Sequence, residues 1–145
     1  HEVRHHLESL AGDDALERVD YAADELFNRQ EGLDFDPWYY QRGDDLGGGV
    51  FVVEGRQYLE QIWDERDFGR GGSIEFGWRG ATYRLARPAE LGDVHFVWVL
   101  GDDFEDDPLE LVLARKRSSW ESLKRLARPA PPVVLESEAE VERVG

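Results

Sequence analysis

The chain contains no cysteine and no methionine. Without thiols it has no disulfide, no thiolate metal site and no thiol nucleophile. It also lacks a long hydrophobic run: the longest strongly apolar stretch, Val94–Leu100, is interrupted by His95. A membrane-spanning helix needs about 20 apolar residues, and no secretory leader pattern is visible, so the cytoplasm is the expected compartment. Lysine is nearly missing, with Lys116 and Lys124 the only two among 17 basic residues. A processed or trimmed start accounts for His1 in place of an initiator.

What is present in excess is acid. Thirty-two Asp and Glu give a formal charge of −15 over 145 residues. Charge of that size strains a compact state by self-repulsion in dilute buffer. At about 1 M salt the screening length falls to about 3 Å and the repulsion nearly vanishes. Carboxylates hold water where water is scarce, whereas lysine would bring a long apolar stem to the surface. The composition therefore predicts a protein of a salt-in halophile. With 41% hydrophobic residues, a packed core is expected rather than disorder.

Periodicity predicts helices at residues 3–10 and 14–30, the second with Leu16, Val19, Ala23, Leu26 and Phe27 on its inward face. Residues 33–49 read as turns holding Phe35, Trp38, Tyr39 and Tyr40. A short strand at 50–53 and a helix at 57–66 follow, the helix burying Tyr58, Leu59, Ile62 and Trp63. Ile74, Phe76 and Trp78, then Tyr83 and Leu85, alternate across Arg79-Gly80 as a hairpin. Val94–Leu100 reads as a central strand and 119–127 as a basic helix; residues 109–114 alternate as a strand does, while Asp107-Pro108-Leu109-Glu110 also fits a helix start, and the strand is preferred. One compact domain is expected over residues 1–128, with a Pro-rich extended segment and acidic tail over 129–145.

The expected fold class is α+β: a curved antiparallel sheet of about four or five strands, with N-terminal helices and a C-terminal helix packed on it. This element order is similar to that of nuclear-transport-factor-2-like cone folds, and the resemblance implies a pocket between sheet and helices.

Chemistry-bearing patterns are few. His1-Glu2-Val3-Arg4-His5 has the spacing of a zincin motif, with Glu25 twenty residues on. It opens the chain, where no preceding strand could build a substrate cleft. Asp102–Asp107 lacks the glycine and terminal Glu of a calcium loop and reads as a solvated acidic turn. No phosphate loop and no nucleophile elbow is present. Neither a metal nor a cofactor is expected.

One segment opposes its background. Arg115, Lys116, Arg117, Lys124, Arg125 and Arg128 set six positive charges against Glu121 within fourteen residues. The expected function is a non-enzymatic interaction or assembly module, cellular or virion-associated. It would dock a protein or a second copy through these residues, with Trp38, Tyr39 and Tyr40 as apolar anchors. Taken by themselves, those aromatics read first as a plug on the core and second as a contact surface. Nucleic acid is disfavoured because its affinity falls steeply with salt. Two alternatives stand beside this reading: a pocket-containing small-molecule binder or enzyme using His95, Arg84 and Tyr83, and a DNA mimic whose acids imitate phosphates.

Overall fold

The computed structural model describes residues 13–64, 72–116 and 131–144. Among them the chain forms one α-helix, two short 3-10 turns and nine strands in two sheets. The expected α+β class with helices at both ends is therefore corrected to a mostly β fold. The helices expected at residues 3–10 and 119–127 lie outside the described residues, and no C-terminal helix occurs among those described. The strands are β1 (Asp44–Gly47), β2 (Val50–Val53), β3 (Arg56–Trp63), β4 (Ser73–Trp78), β5 (Ala81–Ala86), β6 (Val94–Leu100), β7 (Leu109–Arg115), β8 (Val134–Glu140) and β9 (Glu142–Val144). One sheet has the order β1-β2-β3-β7-β6-β8 and the other β4-β5-β9. The chain divides into two compact units, the second beginning at Tyr58.

In the first unit, α1 (Asp13–Gln30) buries Ala22 and Leu26. Val19 and Phe27, expected on its inward face, are 41% and 56% exposed. The buried side has rotated away from the most apolar stripe, because Tyr21 and Arg29 reach bonding partners on the following segment. The helix stops at Gly32, whose φ of 75° suits glycine. There the Gly32 N–H donates to Arg29 and the Leu33 N–H to Asn28, the paired bonds of a Schellman ending. Tyr39 and Tyr40 begin a 3-10 turn and are fully buried. Their rings meet edge-on at 6.3 Å, and Tyr40 meets Phe51 at 5.6 Å.

β3 corrects the helix expected at residues 57–66. Glu54-Gly55 has positive φ at both positions, 50° and 76°, which joins β2 and β3 as a tight hairpin. Tyr, Ile and Trp then suit a pleated surface better than a helix interior.

The second unit is built around β6 and β7. Both are buried on both faces over most of their length, as interior strands require. β6 pairs antiparallel with β7 and parallel with β8, so the larger sheet is mixed. The β4–β5 hairpin pairs Trp78 with Ala81 across Arg79-Gly80. Its alternation buries Phe76, Trp78, Tyr83 and Leu85 and leaves Glu75 and Arg84 outside. Residues expected as an acidic tail instead form β8, beside β6, and β9, beside β5.

Candidate functional site

The basic segment lies only partly within the described residues. Arg115 and Lys116 are exposed at the end of β7, where their backbone N–H groups donate to Asp93 and Trp63. Arg117, Lys124, Arg125 and Arg128 lie outside the described residues. Tyr39 and Tyr40 are core residues, while Trp38 is half-buried. The aromatic group is thus a plug on the core of the first unit, and only Trp38 retains the reach of an anchor.

An open groove of about 640 Å³ lies beside this plug, lined by Glu17, Arg18, Tyr21 and Arg42. Asp36 organises it. Its carboxylate accepts from the Tyr21 hydroxyl at 2.9 Å and from the Trp38 N–H at 2.9 Å. Burial, then the hydrogen bond and negative charge of Asp36, push the Tyr21 phenol up to about 12. The Arg42 guanidinium sits 4.9 Å from the centre of the Tyr21 ring, a cation–π distance. Neither Arg18 nor Arg42 makes an ion pair with a carboxylate among the described residues.

In the second unit the three polar residues singled out for a pocket do not converge. Tyr83 is buried and donates to Asp103 at 3.0 Å. Burial, followed by Asp103, raises its phenol above the ordinary value, with Arg143 acting in the opposite sense. Arg84 is exposed and pairs with Glu75 and Glu142. The acidic loop is pinned rather than wholly solvated: Phe104 is buried, Asp103 holds Tyr83 and Arg143, and Asp107 holds Arg79 at 3.0 Å. No group of three or more potential metal ligands occurs among the described residues.

His95 does line a groove, of about 470 Å³, with Pro88, Ala89, Leu135, Ser137 and Ala139 among its other walls. The register puts His95, Val97 and Val99 on the same face of the sheet as Leu135, Ser137 and Ala139. His95 is 3% exposed, and its Nε2 lies 2.8 Å from the Oγ of exposed Ser137. Burial lowers the imidazole below its usual range, and the Glu90 backbone acts the other way. The second ring nitrogen, Nδ1, is buried with no hydrogen-bond partner among the described residues.

Ser137 was hidden by its surroundings, since Glu136-Ser137-Glu138 reads as acidic tail. The signal that could have revealed it is the period-two pattern Leu135, Ser137, Ala139 against Glu136, Glu138, Glu140. The Arg18–Arg42 groove joins a helix to a turn, and no local spacing announces it. No described helix is long and apolar enough to cross a membrane. No family model matches the sequence, and neither a curated protein nor a solved structure matches it.

Proposed function

We propose that this chain is a halophile-adapted interaction module that docks an acidic protein partner. The observation that carries the reading is the groove lined by Arg18, Arg42, Tyr21 and Glu17, in which neither arginine makes an ion pair among the described residues. A guanidinium offers a planar fork that matches a carboxylate at short range. Such contacts act within the screening length, so they survive salt that abolishes long-range attraction. Arginine and tyrosine are also the side chains that dominate interface energetics. In the second unit Arg115 and Lys116 are exposed cations, Arg117, Lys124, Arg125 and Arg128 continue the basic run in the sequence, and Trp38 supplies an apolar contact in the first unit.

Titration with a labelled Asp/Glu-rich peptide in concentrated KCl tests this, with duplex DNA of equal charge as competitor. The peptide is expected to bind, and Arg18→Gln with Arg42→Gln to weaken it by about tenfold or more. Replacing the six residues of the basic segment by Gln is expected to add to that loss. Equal binding by wild type and both variants would defeat the proposal, as would preference for DNA.

A second reading is favoured by the His95–Ser137 groove. It is concave, largely apolar, and holds two convergent polar groups, the usual make-up of a small-molecule site.

A further inference from the structure

We propose that Ser137 is a nucleophile activated by His95, able to accept an acyl group from a small ester with little net charge bound in the adjoining groove. The inference rests on the second reading above, that the groove holds a small molecule. The Nε2–Oγ separation of 2.8 Å is within the reach a general base needs. The pair is also arranged with the correct polarity: the base is buried and held by β6, and the nucleophile is exposed on β8. His95 is kept neutral near pH 7, the form that can take a proton.

In the tautomer that carries its hydrogen on Nδ1, Nε2 accepts the Ser137 hydroxyl proton. Nδ1 itself is buried with no hydrogen-bond partner among the described residues, so the pair is a dyad whose ring is held by burial on β6 and not by a third group.

The step balances without a further reactant. Ser137 Oγ attacks the ester carbonyl carbon, its proton passes to His95 Nε2, and the C=O electron pair moves onto oxygen. β8 is the terminal strand of its sheet among the described residues, and an outer strand presents backbone N–H groups of the kind that stabilise such an oxygen. Collapse breaks the bond to the leaving oxygen, which recovers the proton from Nε2. The acyl group remains on Oγ, and water activated by the same nitrogen releases it as a carboxylic acid. The groove is walled mainly by Pro88, Ala89, Leu135 and Ala139, with Arg87 and Glu90 of opposite charge at its margin, so a small ester with little net charge suits it best.

The full chain in concentrated KCl is treated with p-nitrophenyl acetate and, separately, with an uncharged alkyl fluorophosphonate. Mass spectrometry locates the label while nuclear magnetic resonance follows Leu135 and Ala139. Wild type is expected to acylate stoichiometrically at Ser137, and Ser137→Ala, a surface change, to lose the label while remaining folded. His95→Gln is expected to slow labelling by a factor of about 10² to 10⁴. In wild type the rate should be flat at neutral pH and fall in acid as the imidazole protonates. Labelling no faster than at Ser73, or a rate indifferent to both His95→Gln and acid, overturns the proposal. Should His95→Gln fail to fold, the acid limb of the wild-type profile decides alone. If the ester shifts Leu135 and Ala139 but never acylates Ser137, the groove reading stands and the catalytic one falls. If neither occurs, both fall.

Discussion

Replacing Gly92 by alanine is expected to detach the start of β8. A Cβ built on Gly92 would stand 2.6 Å from the Val133 carbonyl oxygen and 3.0 Å from the Val133 Cγ1. That carbonyl accepts from the Asp93 N–H at 2.8 Å and the Val94 N–H at 3.2 Å, while the Val133 N–H donates to the Asp93 carboxylate at 2.8 Å. Relieving the contact requires the carbonyl to move by at least ~0.4 Å, which takes the longer of its two bonds beyond useful range. Overpacking of this kind costs about 1–3 kcal/mol and a lost hydrogen bond about 1 more. The sum, about 2–4 kcal/mol, corresponds to a melting temperature lower by about 5–15 °C for a chain of this size. Thermal unfolding in concentrated KCl measures the shift, and amide hydrogen exchange should show protection falling first along β8. Gly77→Ala is the matched control: its Cβ meets only the Ala81 carbonyl oxygen at 3.9 Å. That change is expected to be neutral or stabilising by up to about 1 kcal/mol. Equal melting temperatures for Gly92→Ala and wild type, with β8 amides as protected as before, would refute the reasoning.

The remaining predictions concern charge. His95 has its folded-state proton affinity depressed by burial, so the unfolded chain binds the proton more readily. Its stabilising contribution is therefore complete above the unfolded value of about 6.5 and is lost as pH falls through the lower folded value. His95→Gln should flatten that part of a stability–pH curve, and an unchanged slope would contradict it. Tyr21, pushed up to about 12, should ionise well beyond a free phenol in an ultraviolet titration of the folded protein, and Tyr21→Phe should remove one late-titrating component. Because its folded value is raised, its contribution is held below the unfolded value of about 10 and lost as pH climbs beyond it. Raising KCl from about 0.1 M to about 1 M should raise the melting temperature, since screening shortens from about 10 Å to about 3 Å. A protein equally heat-resistant in dilute buffer would remove the halophilic reading.

The elements legible in the sequence were those whose turns and alternation are local. Arg79-Gly80, with φ of 52° and 79°, closes the β4–β5 hairpin on the register that alternation implies. Val94–Leu100 is an interior strand because both of its faces are apolar, and Leu109–Arg115 follows the strand reading of its alternating leucines. Tyr58, Leu59, Ile62 and Trp63 deceived because their spacing also fits a helix. The Glu54-Gly55 turn before them carried the same two-residue signal as Arg79-Gly80 and was decisive. β8 and β9 were obscured by glutamates, since an outer strand can be acidic on one side and still complete a ladder. At the candidate sites, His95 and the exposed cations Arg115 and Lys116 were visible as residue types. Ser137 and the Arg18–Arg42 pairing depend on contacts between segments far apart in the chain, which composition and spacing do not encode.

The last two strands have a consequence for how the protein is made. His95 meets its partner Ser137 across 42 positions of sequence, and Thr82 waits for Val144 roughly sixty positions later. Synthesis proceeds from the other end, so β5 and β6 exist for a time with bare edges that invite the wrong neighbour. In a crowded cell, the interval between translating residue 100 and residue 144 is when a nascent copy is most exposed to tangling with its siblings. The acids that seem excessive on the finished molecule would hold those siblings apart.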